Sequence, residues 1–299
     1  MTKIGALVVT FNRPEKLVNT LQSLQTQTTA IESILVIDNH SSDNIAKENK
    51  INCDSFSNVE YKYLSANLGG AGGFAEGLKV LQTLSLDYVL VSDDDVVYSS
   101  DYVRLLLAQV EETTGTVVLT GTVKNKTDGS IELLHRRRLV SEKPFIKQES
   151  VHRDDYAKDF QYDVFSFIGV MIPMAVINTI GVPRADFFIW FDDTEYSLRI
   201  KRHYTIRNVS AAVIYHDDSL NSTHSGTWKN YYGFRNELTV EYETQRRHSL
   251  VFTLAYFFKN FLAILRSHYQ NKLYVSGCLY NGTVDAYLNR LGLSPKYKP

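Results

Sequence analysis

The chain has 299 residues, of which 44% are hydrophobic, so it can form one large α/β domain or two small ones around a buried core. Its 32 Lys and Arg nearly balance its 33 Asp and Glu, which gives no reason to expect a nucleic acid as partner. The only cysteines, Cys53 and Cys278, support neither a disulfide framework nor a thiolate zinc site, and they fit a reducing cytoplasm.

The N-terminal sequence shows no targeting segment. The apolar run at residues 4–9 is too short for the core of a signal peptide. No segment reaches the roughly 18 uninterrupted apolar residues that a spanning helix needs. We therefore expect a cytoplasmic protein without a transmembrane helix.

The first 120 residues alternate short apolar runs with helical patterns, which predicts a mostly parallel sheet covered by helices on both faces. The predicted strands are 4–10, 33–37, 59–64, 88–91 and 117–120, and the predicted helices are 14–25, 73–84 and 101–111.

The second half is predicted to contribute more helix than sheet. The polar segment 124–163, which contains the run His135-Arg136-Arg137-Arg138, is predicted to be an excursion on the surface. The sequence beyond it predicts buried strands at 165–172 and 211–215 and helices at 193–201, 228–243 and 250–268.

Polar residues follow the predicted strands at the point where each strand ends. In open α/β sheets, ligands bind at the carboxyl ends of the strands, so these residues are candidates for a binding site. The strand ends are followed by Thr10-Phe11-Asn12-Arg13, Asp38-Asn39, Asn67-Leu68-Gly69-Gly70, Asp93-Asp94-Asp95 and His216.

The acidic triplet and the histidine predict a cation site. Three adjacent carboxylates repel one another unless a cation or hydrogen bonds offset the charge. The alternate carboxylates Asp93 and Asp95 can point to one side and offer oxygen ligands to Mg²⁺ or Mn²⁺. The imidazole of His216 suits Mn²⁺ better than Mg²⁺. The alternatives are a solvated turn before the next helix and a purely structural histidine.

A second acidic group, Asp192-Asp193-Thr194-Glu195, opens a predicted helix after an aromatic run. Acids at a helix N-terminus are ordinary partners of the helix dipole. The functional interpretation is that one carboxylate, partly desolvated by the aromatic side chains, has a raised pKa and acts as a general base. Trp190 is either a platform for a sugar or part of the core.

Four glycines within residues 69–73 precede a helix, so the backbone can approach a ligand closely. Gly70, Gly72 and Ala75 also match a loose dinucleotide-binding pattern. The strand before them is polar and third in order, which is not typical of an NAD site.

Taken together, these motifs resemble the family-2 glycosyltransferases over roughly residues 4–240, and the galactofuranosyltransferases within that family, followed by the rhamnosyltransferases. The resemblance implies a GT-A fold, a Rossmann-like, mostly parallel α/β sheet flanked by helices. The sequence beyond the region of resemblance predicts a C-terminal helical extension. The motifs that carry it are 8–13, 36–39 with Ser42-Asp43, 67–74, 93–95, 190–195, His216 and the Tyr231–Asn236 stretch.

The resemblance also assigns roles to individual residues. It implies that Asp193 is the catalytic base and that a divalent ion, Mn²⁺ or Mg²⁺, is held by Asp93, Asp95 and His216. On the acceptor side it implies Trp190 and Asp192, and for Arg235 a role either at the pyrophosphate or at the acceptor. On the donor side it implies Thr10, Phe11, Arg13, Asp38, Asn67, Gly69, Gly70 and Asp94. Of these, Asp38 is expected to contact the nucleobase.

The function expected from this resemblance is inverting transfer of a sugar, galactofuranose from UDP-galactofuranose, to a cell-surface, capsular or lipid-linked glycan. The alternative donor is dTDP-rhamnose. Two alternatives come from other classes: a sugar nucleotidyltransferase, which should open with a glycine-rich basic loop, and a non-catalytic nucleotide-sugar-binding module, which should have lost the metal acids or the base.

The C-terminal segment differs from the rest in charge. Residues 245–299 contain eight Lys or Arg and one acid, Asp285. We expect a domain of residues 1–243 followed by a basic helical tail, 244–299. Its apolar helix, with a narrow polar stripe, is expected to contact either an anionic membrane surface or the rest of the protein or a second subunit.

Overall fold

The computed structural model describes residues 2–112, 115–217 and 226–299. Most strands form one nine-stranded sheet, which confirms the predicted fold class. This sheet contains β1 (Ile4–Thr10), β2 (Ser33–Asp38), β3 (Val59–Tyr63), β4 (Tyr88–Asp93), β5 (Val96–Tyr98), β6 (Val117–Asn125), β9 (Phe160–Tyr162), β11 (Val170–Pro173) and β12 (Thr205–His216). A smaller sheet contains β7 (Arg136–Ser141), β8 (Lys147–Ser150) and β10 (Val164–Phe165).

Helices cover both faces of the large sheet and continue beyond it at the C-terminus. They are α1 (Pro14–Gln25), α2 (Asp43–Asp54), α3 (Gly69–Leu81), α4 (Tyr102–Glu112), α5 (Met174–Ile180), α6 (Asp192–Lys201), α7 (Lys229–Gln245), α8 (Leu250–Arg266) and α9 (Lys272–Tyr287).

The strand order is β3-β2-β1-β4-β11-β6-β12-β5, and β9 pairs with β12. The first four strands in this order are parallel, as the alternation of strands and helices predicts. β11 is antiparallel to both β4 and β6, and β12 is parallel to β6. The strands β4, β6 and β12 therefore run in the same direction, and their carboxyl ends meet at one edge of the sheet.

The two faces of the sheet bury separate apolar clusters because successive side chains of a strand point to opposite faces. In β1, Leu7 and Val9 pack with residues of α3, whereas Ala6 and Val8 pack with residues of α1. This alternation explains why a fully buried strand appears in the sequence as one continuous apolar run.

Two predictions for the middle of the chain are wrong. The predicted strand 165–172 is two strands in different sheets, β10 and β11, and Gly169 between them has a positive φ of 64°. The predicted surface excursion 124–163 supplies β7 to β9, and its Arg136 is 0% exposed. The Arg136 guanidinium donates to the carbonyl oxygens of Gly121 and Ile168, which explains how a charged residue is accommodated in the interior.

The C-terminal helices pack against the rest of the protein. α9 approaches α7 closely at Gly282, where a Cβ atom would lie 2.8 Å from the carbonyl oxygen of Tyr231. The ring of Tyr297 stacks on that of Tyr231 at 4.4 Å between centroids. Within the described residues, no helix has the length and apolar content needed to cross a bilayer.

Candidate functional site

The polar residues that follow β1, β4 and β12 lie together at one edge of the large sheet. Residue His216 is the last of β12 and pairs with Val96 of the short antiparallel β5. The amide of Asp217 donates to the carbonyl oxygen of Asp95 at 3.0 Å. Because β5 follows the acidic triplet directly, this pairing brings His216 beside Asp95, although 120 residues separate them in the chain.

The middle carboxylate of the triplet, Asp94, is directed away from its neighbours into the protein. It is 2% exposed, and its two oxygens accept hydrogen bonds from the hydroxyl of Thr10 at 2.6 Å and the guanidinium of Arg13 at 3.3 Å. Burial, together with the charge of Asp95, raises the pKa of Asp94 to about 6. Thr10 and Arg13 therefore hold this turn in place.

Asp95 and His216 offer two neighbouring ligand atoms of kinds that suit a divalent cation, although the second oxygen of Asp95 accepts a hydrogen bond from Arg13 at 2.8 Å. The Oδ1 atom of Asp95 lies 3.6 Å from Nε2 of His216. Asp93 lines a cavity together with His216, and its pKa is raised well above the ordinary value by burial and by the charges of Asp95 and Asp94. Carboxylate oxygens and one imidazole are a favourable donor set for Mn²⁺, which would offset this negative charge.

The second ring nitrogen of His216 is held by a residue that the sequence analysis missed. Its Nδ1 atom is 2.8 Å from Oε2 of Glu132, and the same oxygen is 2.9 Å from Nε2 of His135. The ligand atoms of these three residues all lie within 4.8 Å of one another. Glu132 and His135 both come from the segment 124–163, where no sequence motif indicated a functional residue.

Two adjacent residues of α7 hold the loop of residues 187–191, called the aromatic loop, which precedes α6. The side-chain amide of Asn236 donates to the carbonyl oxygens of Phe187, Ile189 and Trp190, at 2.8 to 3.0 Å. Arg235 is 1% exposed and donates to carbonyl oxygens of the same loop, including Phe187 at 3.0 Å. The guanidinium of Arg235 is buried against backbone oxygens and shapes the loop. It does not face an acceptor in this structure, which differs from the role expected from the sequence.

The aromatic loop has an unusual backbone. Phe188, Trp190 and Phe191 have φ values between 65° and 68°, a region that residues with side chains rarely adopt. The loop also explains one of the glycines: a Cβ atom on Gly69, whose φ is +72°, would lie 1.8 Å from the carbonyl oxygen of Phe188. The glycine is therefore required by the contact between the loop and the start of α3.

The two aspartates at the start of α6 differ in their surroundings. Asp192 is 7% exposed, and burial, with the charge of Asp193, raises its pKa to about 8. Asp193 is partly exposed, and its Oδ1 atom accepts hydrogen bonds from the amide and hydroxyl of Thr194. At neutral pH the buried Asp192 therefore stays protonated, which leaves Asp193 as the accessible candidate base.

Both aspartates line a cavity of about 420 Å³. Trp190, with 43% of its surface exposed, forms part of its wall, as does Arg137, which donates to the hydroxyl of Thr194 at 3.1 Å. The cavity also contains Asp93, His135 and His216. The candidate base and the candidate cation site thus face the same space.

A second cavity, of about 290 Å³, contains most of the residues expected to bind the donor. Gly70, Asp93 and Ile189 line both cavities, so the two spaces adjoin at the acidic triplet. Seven of the eight expected donor residues line this cavity: Thr10, Phe11, Arg13, Asn67, Gly69, Gly70 and Asp94.

The eighth, Asp38, does not line the donor cavity. It is 0% exposed, and its carboxylate accepts hydrogen bonds from the amide of Ser41, the side chain of Asn49 and the hydroxyl of Tyr61, at 2.7 to 2.8 Å. The expected contact with the nucleotide base is therefore not available to Asp38. The neighbouring Asn39 lines the cavity instead.

Lys229, the first residue of α7, was not predicted as a site residue, yet it lines the donor cavity beside Trp228. Burial lowers the pKa of Lys229, as does the nearby charge of Arg13, while Asp93 raises it. The ammonium group of Lys229 therefore belongs to the same cavity as Asp93 and Asp94 of the acidic triplet. No pattern in the sequence connects a lysine at a helix start to a strand end more than 130 residues earlier.

Comparison with known proteins agrees with this architecture. Residues 6–172, more than half of the chain, match the profile described as glycosyl transferase family 2. The galactofuranosyltransferase GlfT1 of Mycobacterium tuberculosis (strain ATCC 25618 / H37Rv) is 28% identical over 203 residues, which are 67% of this chain and 64% of that protein. GlfT1 of Mycolicibacterium smegmatis is 25% identical over 200 residues, 67% and 65% of the two chains. The match thus spans just under two thirds of these relatives.

Solved structures share the fold at low identity. GalNAc-T7, crystallised with UDP, GalNAc and Mn²⁺, superimposes with a TM-score of 0.61 over 80% of this chain and 47% of that chain, at 13% identity. Residues 1–349 of S. aureus TarS give a TM-score of 0.54 over 97% and 72%, at 16% identity. The resemblance found in the sequence motifs is confirmed: the chain belongs to the glycosyl transferase family 2 and has the GT-A fold.

Proposed function

We propose that this protein is an inverting, metal-dependent glycosyltransferase that moves galactofuranose from UDP-galactofuranose to a hydroxyl group of a cell-envelope glycan. The observation that carries the proposal is the position of Asp93 in the wall shared by the two cavities, with His216 on one side and the residues around Thr10 on the other. A donor diphosphate in the smaller cavity and an acceptor in the larger one would then meet at the candidate cation site.

In the proposed reaction, Asp193 accepts the proton of the acceptor hydroxyl while that oxygen attacks the anomeric carbon from the face opposite the nucleotide. The bond between the anomeric carbon and the diphosphate oxygen breaks, and the configuration inverts. Arg13 and Lys229 supply positive charge beside the departing diphosphate. A divalent ion held by Asp93, Asp95 and His216 would supply Lewis-acid stabilisation of the same charge.

The acceptor is proposed to lie against Trp190 in the larger cavity, where Asp192 and Arg137 also face it. An exposed indole face is a favourable surface for the apolar side of a sugar ring. Asp192, protonated at neutral pH, can donate a hydrogen bond to an acceptor oxygen.

The preference for galactofuranose rests on the names of the GlfT1 relatives, and a UDP-sugar also agrees with the UDP in the structural neighbours. A thermal-shift panel of UDP-galactofuranose, UDP-galactopyranose and dTDP-rhamnose, each with and without Mn²⁺, tests it. Saturation at 100 times the Kd adds about 2.7 kcal/mol of stability, so we expect UDP-galactofuranose with Mn²⁺ to raise the unfolding midpoint most. A larger shift with dTDP-rhamnose would support the rhamnosyltransferase alternative, and no shift with any nucleotide sugar would overturn the proposal.

The stereochemistry of transfer has its own test. Single displacement inverts the anomeric centre, so the product should carry the configuration opposite to that of the donor. NMR of the purified product, through the anomeric coupling and chemical shift, reports this directly. A product with retained configuration would exclude a role for Asp193 in a single displacement.

The C-terminal region, residues 244–299, is proposed to contact an anionic membrane surface. Six large apolar side chains of α8 are 45–72% exposed, and at 3.6 residues per turn they occupy about 120° of the helix circumference. The exposed Lys259 and Arg266 both lie along one side of this stripe. The six are Leu250, Val251, Leu254, Phe258, Leu262 and Leu265. An apolar stripe beside basic residues matches an anionic lipid surface.

Co-sedimentation with vesicles of phosphatidylglycerol and phosphatidylcholine tests the membrane contact. The wild type should pellet with the anionic vesicles, and Val251→Glu with Phe258→Glu should remain in the supernatant. Ile51→Glu, a change at a 70% exposed residue of α2, is the matched control and should pellet like the wild type. Failure of the wild type to pellet would contradict the contact, as would a concentration-dependent dimer that the double variant abolishes.

A further inference from the structure

The carboxylate of Glu132 is shared by two histidines that both line the larger cavity. Its Oε2 atom lies 2.8 Å from Nδ1 of His216 and 2.9 Å from Nε2 of His135. All three side chains are at most 17% exposed. The two imidazole rings meet edge to face, at 5.2 Å between centroids and 82° between planes. The cluster is therefore closely packed.

These hydrogen bonds determine where the histidine protons lie. An ionised carboxylate only accepts hydrogen bonds, so each ring nitrogen that faces Glu132 must carry a hydrogen. In the neutral ring of His216 the lone pair is then on Nε2, the atom 3.6 Å from Asp95.

The neutral ring of His135 has the opposite arrangement. Its Nε2 atom carries the hydrogen, and its lone pair is on Nδ1. This Nδ1 atom is buried and has no hydrogen-bond partner among the described residues. The ring lines the larger cavity, together with Asp193.

We infer that Glu132 is a positioning residue that fixes His216 in the tautomer whose Nε2 binds the divalent cation, and fixes His135 in the tautomer whose Nδ1 carries no hydrogen. A ligating histidine commonly donates its other N–H to a carboxylate, which orients the ring and raises its basicity. The inference rests on the proposed metal-dependent function.

The competing arrangement is an ion bound directly by Glu132, His135 and His216, whose ligand atoms lie within 4.8 Å of one another. That arrangement would remove both hydrogens from the nitrogens that face Glu132 and would break both hydrogen bonds. An ion between Asp95 and Nε2 of His216 leaves these hydrogen bonds intact. The chemistry of the rings therefore favours the second position.

The test measures Mn²⁺ binding by the purified full chain, from the EPR signal of free Mn²⁺, without any sugar transfer. Loss of an outer partner typically costs 10–100-fold in metal affinity, so Glu132→Gln should raise the Kd for Mn²⁺ about 10- to 100-fold. Asp95→Asn should raise it further, and His135→Ala should change it less than about threefold. Thermal unfolding midpoints identify any variant that fails to fold, and Glu132→Ala serves as the second variant at that position.

Failure of the inference and failure of the proposed function give different results in this experiment. If His135→Ala abolishes binding and Asp95→Asn does not, the ion lies in the Glu132 cluster and the inference is overturned. An unchanged Kd in both Glu132 variants overturns it as well. If the wild type does not bind Mn²⁺ at all, the proposed metal-dependent function fails instead.

A spectroscopic readout tests the tautomers without metal. In ¹⁵N-labelled apo protein, long-range ¹H–¹⁵N spectra should show an unprotonated Nε2 in His216 and an unprotonated Nδ1 in His135. In Glu132→Ala the His216 signals should move toward a mixture of tautomers. The opposite tautomer of His216 in the wild type would overturn the inference whatever the Mn²⁺ affinity.

Discussion

The proposed donor side of the site lies on strands, whereas the proposed acceptor side is assembled from loops that distant elements hold in place. Thr10 and Asp93 are the last residues of β1 and β4, so the sheet itself sets their positions. The wall of the larger cavity comes instead from the residues around Glu132 and from the aromatic loop, which Arg235 and Asn236 of α7 hold through backbone carbonyl groups. Strand ends therefore position the candidate cation ligands, while long-range packing shapes the proposed acceptor side.

The largest effect should come from removing the metal, which acts on the strand-end side. We expect an excess of chelator to lower the rate of UDP release by about 10³-fold or more, and Mn²⁺ to restore it, because the charges of Asp93 and Asp95 would otherwise face the diphosphate. A coupled UDP-release assay measures this. Full activity in excess chelator would contradict the cation site.

The next effect tests the acceptor side. Asp193→Asn removes the proposed base, and general bases typically contribute 10²–10⁴-fold, so turnover should fall at least about 100-fold. The thermal shift produced by UDP with Mn²⁺ should persist, because Asp193 lines the larger cavity and not the donor cavity. Turnover close to that of the wild type would remove Asp193 from its role.

The stability of the folded protein tests whether Arg235 holds the aromatic loop. Arg235→Met leaves several buried carbonyl oxygens of the aromatic loop and of Gly292 without their donor, so the free energy of unfolding should fall by about 3 kcal/mol. The matched change Arg290→Met, at a side chain that is 68% exposed, should alter it by less than about 0.5 kcal/mol. Urea unfolding measures both, and equal effects would mean that Arg235 does not hold the loop.

The smallest effect concerns the pH dependence of stability. The pKa of Asp192 is about 8 in the folded protein and 3.8 in its ordinary state, so the unfolded chain loses its proton first as the pH rises. The free energy of unfolding should therefore fall between about pH 4 and pH 8. Asp192→Asn removes this dependence and should be more stable than the wild type at pH 8, by more than about 1 kcal/mol, and equally stable at pH 4. A difference that does not change with pH would contradict the raised pKa.

The sequence predicts the strand-end motifs well because each polar group there directly follows a buried apolar run. The bounds of β1 and α1 are as predicted, and the fold class and the family are confirmed. Helix α2 was missed because its only buried side chains are those of Asn49 and Cys53, which form no apolar periodicity. The strand predicted at 165–172 was wrong because a continuous apolar run does not reveal a backbone reversal.

The acceptor side was predicted less completely for a physical reason. Glu132 and His135 reach the site through β7 and the residues before it, and their pairing with His216 depends on a contact across 84 and 81 positions of the chain. Arg235 was expected at the acceptor because it follows a pair of tyrosines, yet tertiary packing buries it beneath the loop. Neither arrangement leaves a local pattern in the sequence.

The most direct measurement is anomalous X-ray diffraction from crystals of the protein grown with Mn²⁺ and UDP. The prediction is a manganese peak within bonding distance of the carboxylate of Asp95 and of Nε2 of His216, beside the pyrophosphate, with Glu132 still hydrogen-bonded to Nδ1. A peak bound by Glu132 and His135 instead, or a pyrophosphate with no manganese near Asp95, would contradict the account.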